Sequence, residues 1–380
     1  MAGSVWSSLP TDLLHEVSGR LASERDLLHV RQVCSHWRSS TSLPVAPFRP
    51  WVVATRAKPI RVGPLGEYSL WLPRGVRRVH QVAGPPGLPY CCGTPRGWLA
   101  LADDEQSPKR LVLWEPRSGA EIPLPPLSLV IQVFLSADPL ASPLSGWMAV
   151  ATQVRNELYH NIFFWRPGDA AWVAAAEVYT GERLHSVAFL GAKMYCIDYL
   201  KKFAIYDLNL GTGLPPVLLY RTYAAPLLNM LCNRRCGRKL HGTRAAHFVT
   251  CDGELLLVVL FNHLHPSFAE VYKPDLTPGQ RLELGERVTN LGGYSLFLGR
   301  GDAFALSAEE FPAIRRNCVY YAVHYLNANK KDWVFVFDLE SDVLDEFPFP
   351  PEHKEDPAND WWPASWFCPK RPVFSKQQQS

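Results

Sequence analysis

AWVAAAE (residues 171–177), HSVAFL (185–190), KMYCID (193–198) and FAIYD (203–207) are four short apolar runs packed into fewer than forty residues. Their β-branched and aromatic content suits a pleated, half-buried surface, and none is long enough for a globular helix. The Gly191-Ala192 pair sits where the second and third runs must reverse. Further on, Cys251-Asp252-Gly253-Glu254 separates Phe248–Thr250 from Leu255–Leu260, and Asp-Gly between two apolar runs is a strong hairpin signal. From Trp51 onward the chain keeps this grammar of short runs broken by Gly, Pro, Asn and Asp.

The ends of these runs repeat. Leu113-Trp114-Glu115-Pro116 is echoed by Phe164-Trp165-Arg166-Pro167, Ile205-Tyr206-Asp207, Val271-Tyr272-Lys273-Pro274 and Val336-Phe337-Asp338. Successive copies lie 51, 41, 66 and 65 residues apart. A four-stranded propeller blade takes about 40–50 residues, so the first two intervals each fit one blade and the last two need insertions or extra strands. The expectation is a mainly β chain built as a β-propeller of about six blades over residues 46–380, with five or seven also open. A β-sandwich or two stacked β-domains is the competing architecture. The Trp361-Trp362 and Trp366-Phe367 pairs near the C-terminus read as the last strand closing the ring, or as an exposed partner site.

Composition is that of a packed soluble protein. Of 380 residues, 47% are hydrophobic and 20% charged, and 33 Pro, 25 Gly and 13 Trp favour short strands over long helices. A net charge of +3 offers no global field for nucleic acid or an acidic membrane. The charge is uneven, however. Arg221, Arg234, Arg235, Arg238, Lys239 and Arg244 occupy residues 221–247 without an acid, and residues 338–356 hold eight acids against Lys354. These are docking patches or solvated loops. Nine irregularly spaced cysteines, with only Cys91 and Cys92 adjacent, do not look like a disulfide framework. The N-terminus lacks a basic and apolar leader, and the longest apolar run, Leu255–Phe261, is too short to span a bilayer. The expected location is cytoplasmic and/or nuclear.

Residues 1–45 read differently. Leu13, Leu14, Val17 and Leu21 recur on one helical face behind Pro10 and Asp12, which suit a first turn. Ser23 and Asp26 offer a second helix start, and Val30, Val33, Cys34 and Trp37 form another stripe before Pro44 and Pro47. Two or three short helices of this size have more apolar side chains than they can bury internally. The surplus is expected to lie on another surface, in this chain or another.

Leu9-Pro10, Asp12-Leu13-Leu14, Glu16-Val17, Arg20-Leu21, Asp26-Leu27, Val30-Arg31, Val33-Cys34 and Trp37-Arg38 together resemble the F-box motif. The body is similar to plant F-box proteins with a KIB-type β-propeller, through Arg96-Gly97-Trp98-Leu99-Ala100-Leu101, Leu111–Gly119, Leu291–Gly299, Asn317–Tyr321, Val336–Glu340 and Trp366–Pro369. The resemblance implies a small all-α F-box before a kelch-like propeller. It implies a substrate receptor of an SCF-type ubiquitin ligase, whose head docks a Skp-type adaptor, and through it a cullin, while the propeller holds a target protein. It also implies that Leu9, Pro10, Leu13, Leu14, Val17, Leu21, Val30, Val33 and Trp37 touch the adaptor or hold the helices that do. Ser18 replaces the family's usual apolar residue, and Gly19 follows it. A mid-helix glycine costs about 1 kcal/mol relative to Ala, which points to weaker adaptor binding.

Chemistry is the alternative use of such a body. Cys232, Cys236, His241 and His247 have zinc-ligand types but not the spacing of a known closed site, and His263 and His265 lack a third ligand. The chain carries no Gly-x-Ser-x-Gly, His-Glu-x-x-His, phosphate-loop or Gly-x-Gly-x-x-Gly signature. The expectation is therefore a non-catalytic protein without cofactor or metal. A propeller enzyme or small-ligand binder is the competing class, and a ligase-independent inhibitor of a partner protein is the third.

Overall fold

The computed structural model describes residues 5–20, 30–41, 50–55, 65–66, 68–71, 85–116, 119–141, 146–156, 159–175, 184–198, 201–224, 245–261, 268–276, 282–311, 314–322, 332–348 and 362–368. Glu254–Phe261 shows how the body is assembled. Side chains alternate across a strand, so Leu255, Leu257, Val259 and Phe261 enter one apolar cluster while Leu256, Val258 and Leu260 enter another. Both faces of this strand are covered, which explains the unbroken apolar run.

The same logic repeats around the chain, and the described strands form six sheets. Blade 1 is Tyr90–Gly93, Leu99–Ala102, Leu111–Trp114 and Glu121–Leu124, with Leu65–Gly66 added to its first strand. Blade 2 is Val130–Leu135, Ala149–Asn156, Tyr159–Trp165 and Val173–Ala174. Blade 3 is Leu184–Leu190, Lys193–Asp198, Lys202–Asp207 and Val217–Tyr223. Blade 4 is Ala245–Cys251, Glu254–Phe261, Phe268–Asp275 and Glu283–Val288. Blade 5 is Tyr294–Leu298, Cys318–Ala322, Asp332–Asp338 and Leu344–Pro348, with Phe304–Ser307 on its first strand. The remaining sheet has three strands: Trp51–Thr55 lies between Trp362–Phe367 and Tyr68–Trp71.

Six apolar clusters join these sheets pairwise: blade 1 to 2, 2 to 3, 3 to 4, 4 to 5, blade 5 to the three-stranded sheet, and that sheet back to blade 1. A cyclic order of clusters is a closed ring, and the architecture is a β-propeller. The expectation of about six four-stranded blades is corrected to five; the three-stranded sheet unites strands from both ends of the chain. Trp366 and Phe367 lie buried in this closure, so Trp362–Phe367 is the closing strand.

The five repeated strand ends mark the third strand of each of the five blades. The long last interval holds extra structure: Phe304–Ser307 returns along Tyr294–Leu298, which then pairs in parallel with Cys318–Ala322. Between these strands, Gly301–Asp302 crosses to pair in parallel with Ser186–Val187 of blade 3. The 66-residue interval contains residues 225–244, outside the described residues.

One unit read as four strands is corrected. Among the described residues of segment 171–177, the strand is Val173–Ala174, and it belongs to blade 2, where it pairs with Phe163 and Phe164. Neighbouring tryptophans hold it there: Trp172 Nε1 donates to the Pro125 carbonyl at 2.7 Å and Trp165 Nε1 to the Asp169 carbonyl at 2.9 Å. The true fourth strand of blade 3 is Val217–Tyr223, which follows Pro215-Pro216. The hairpin at Asp252-Gly253 forms as expected, with φ of +48° and +76° at its two central residues.

Candidate functional site

Among the described residues the head comprises a 3-10 turn, Val5–Ser8, the helices Thr11–Arg20 and Ser35–Ser40, and a helical turn at residues 30–32. The second helix packs against both the first and the 3-10 turn. Backbone and side-chain hydrogen bonds fix the arrangement. The His36 ring meets the Leu9 carbonyl through Nε2 at 2.8 Å, Trp37 Nε1 donates to the Trp6 carbonyl at 2.8 Å, and Thr11 Oγ1 lies 3.3 Å from Ser40 Oγ. The stripe Val30, Val33, Cys34 and Trp37 does not run along one helix. The helical turn at residues 30–32 ends before Cys34, whose extended backbone (φ −161°, ψ 174°) starts the next helix. Its Sγ caps that helix by accepting from the Trp37 amide at 3.4 Å.

This geometry divides the named side chains. Leu14 is fully buried. Leu13 and Val17, one turn apart on a single helix face, project outward. With Val33 and Trp6 they are between 45% and 68% exposed. Pro10 is exposed, and Leu9, Val30 and Trp37 are half-buried. Leu21 lies outside the described residues, as does the Ser23–Asp26 helix start. Trp6 was missed by periodicity because it sits in a 3-10 turn ahead of the first helical repeat; its aromatic character was the one available signal. Ser18 turns inward on its own helix, donating from Oγ to the His15 carbonyl at 3.0 Å.

Catalysis would be sought at the centre of the ring, where the first strands of the blades meet. Polar groups there tie blades together. Ser186 Oγ accepts from the Phe248 amide at 2.9 Å, Gln132 Nε2 donates to the Leu184 carbonyl at 3.0 Å, and Thr94 Oγ1 donates to the Trp366 carbonyl at 2.7 Å. His185 and His247 are buried with ring centroids 4.5 Å apart, and Tyr321 meets His247 edge-on at 5.8 Å. Burial pushes the Cys91 thiol up to about 11, which keeps it protonated and a poor nucleophile near neutral pH. Of the zinc-type residues only His247 is described; Cys232, Cys236, His241, His263 and His265 lie outside. Most of the basic stretch and the end of the acidic one, from residue 349, do too. The seven described cysteines are unbridged.

Two family models match separate stretches of the chain. The family described as F-box-like matches residues 6–45, and that described as KIB1-4 beta-propeller matches residues 68–338. F-box protein At2g05970 of Arabidopsis thaliana is 22% identical over 380 residues, covering 96% of each chain. A second Arabidopsis thaliana protein whose name carries the F-box label, At3g25750, is 22% identical over 90% of this chain and 93% of its own. A third relative named for F-box and kelch repeats, At5g24040, is 50% identical over only 38 residues, too few to assign a blade type. Among solved structures, the β-propeller domain of Myceliophteria thermophila Cps50 (Swd1) is similar at a TM-score of 0.35 and 10% identity, covering 74% of this chain and 80% of that one. The chain belongs to the KIB1-4 beta-propeller family and carries an F-box-like segment at its N-terminus.

Proposed function

We propose that this protein is the substrate-receptor subunit of an SCF-type ubiquitin ligase. The head, residues 1–45, docks a Skp-type adaptor and through it a cullin. The propeller, residues 46–380 and read as kelch-like, binds the protein to be ubiquitinated. The chain makes and breaks no bond itself, and it works in the cytoplasm and/or nucleus. One observation carries the reading: the head leaves Leu13, Val17, Val33 and Trp6 exposed although Leu14 beside them is fully buried. Large apolar side chains gathered on so small a unit mark a docking face. Burying one such side chain contributes about 1.5–3 kcal/mol, so four of them can offset the cost of association. Leu9, Pro10, Val30 and Trp37 are assigned to the same docking role or to holding the head's helices, and Trp37 ties to the turn carrying Trp6 through its Nε1 hydrogen bond.

Co-expression with a Skp-type adaptor and affinity purification tests the reading. The adaptor is recovered with the native chain and lost with Leu13→Asp plus Val17→Asp. The melting temperature falls only slightly, because both side chains are already about half exposed, and circular dichroism confirms that the head stays folded. Equal recovery with the double variant overturns the proposal.

A further inference from the structure

The outermost strand of a blade presents one edge to solvent, and an exposed edge invites another strand. Four blades blunt that edge. Blade 1 ends on Glu121–Leu124, with Pro123 in a four-residue strand; blade 2 on the two-residue Val173–Ala174. Blade 4 ends on Glu283–Val288, which carries Gly285 and three charges, and blade 5 on Leu344–Pro348, with two acids and a terminal proline. Blade 3 does not. Its outer strand, Val217–Tyr223, has seven residues reading VLLYRTY, no proline or glycine and one charge. It is an edge strand among the described residues. Val217, Leu219 and Tyr223, with Leu214 just ahead, are between 49% and 62% exposed.

The edge also has a polarity. Lys202 pairs with Tyr223, its Nζ 5.6 Å from that ring's centroid, and Lys201 adjoins it. Asp207 pairs with Val217 at the opposite end. Residues 208–224 contain no acid. An antiparallel incoming strand would set its N-terminal end beside Tyr223 and the lysines, and its C-terminal end beside Asp207.

We propose that Val217–Tyr223 is a peptide-docking edge, which adds an extended partner segment as a fifth strand of blade 3. The segment is acidic at its N-terminal end and alternates apolar residues along its length. Backbone pairing supplies the affinity, and the exposed apolar side chains with the lysine end supply the selection. The head takes no part, so the edge works whether or not the head docks an adaptor.

The test uses the full chain and two synthetic peptides: acetyl-Glu-Asp-Val-Thr-Val-Thr-Tyr-Lys-amide and a charge-reversed partner beginning Lys-Lys and ending in Glu. Fluorescence anisotropy is expected to show the acid-first peptide binding about tenfold tighter, the size of one favourable charge contact. Hydrogen exchange is expected to slow at Val217–Tyr223 when it binds. Lys202→Glu inverts the preference, and Leu219→Lys weakens both peptides without changing the melting temperature. Equal affinities, protection elsewhere, or indifference to both variants overturns the proposal. So does a concentration-dependent dimer lost in Leu219→Lys, which would make a second copy the occupant.

Discussion

Replacing Trp366 with Ala tests ring closure at one side chain. Trp366 is buried on the closing strand and stands edge-on to Phe297, with centroids 5.2 Å apart at 82°, and to Tyr320 at 6.2 Å and 89°. Its Nε1 donates to the Leu298 carbonyl of blade 5 at 2.9 Å. Removing a buried indole costs about 3–5 kcal/mol in lost contacts and residual cavity. Trp366→Phe keeps an aromatic ring but leaves that carbonyl without its donor, a loss of about 1–2 kcal/mol. A ring of roughly 330 residues unfolds with an entropy of about 0.7 kcal/mol/K. The alanine variant should therefore melt about 4–7 °C lower and the phenylalanine variant about 1.5–3 °C lower. Differential scanning calorimetry reads both. An alanine shift below about 1.5 °C, or a phenylalanine shift larger than the alanine shift, would refute the closure argument.

Two further outcomes follow from close approaches and charge. At Gly93, φ is +151° and an added Cβ would lie 2.7 Å from the Val133 carbonyl of blade 2, whereas at Gly293 it meets nothing within 4 Å. Gly93→Ala should cost about 1–3 kcal/mol and Gly293→Ala almost nothing, read by chemical denaturation. Asp338 Oδ1 accepts the amides of Ser341 and Glu340, each at 3.0 Å, and the Ser341 amide foremost holds its carboxyl below the usual range. A depressed folded pKa means stability that is present above the ordinary carboxylate value of about 3.9 and is lost as pH falls through the folded one. Asp338→Asn should thus destabilise the chain at neutral pH, with the difference from the native chain shrinking on acidification below about pH 4.

Much of this fold was legible because a propeller writes its blades locally. The repeated strand ends, an aromatic residue followed by Asp or by x-Pro, coincide with the third strand of all five blades. Blade boundaries were harder. Val173–Ala174 was assigned forward in sequence because nothing local distinguishes a blade's last strand from the next blade's first; the tryptophan hydrogen bonds that place it are tertiary. Val217–Tyr223 is hard to read because Pro215-Pro216 just ahead is a loop signal and VLLYRTY lacks a clear alternation. The excursion of Gly301–Asp302 to blade 3 is set by a long-range parallel pairing that no local pattern encodes. In the head, helical spacing marked the apolar positions but could not separate the inward Leu14 from the outward Leu13. Which side of a short helix is covered depends on the neighbouring helix, here reached through His36 and Trp37.

The most direct measurement is a calorimetric titration of the full chain with a purified Skp-type adaptor, repeated over several temperatures. Burial of Trp6, Leu13, Val17 and Val33 predicts a stoichiometric complex with a clearly negative heat-capacity change, and loss of about 2 kcal/mol or more of affinity in Leu13→Asp. No heat of binding, or a Leu13→Asp titration that matches the native one, would contradict the assignment of the head as an adaptor-docking face.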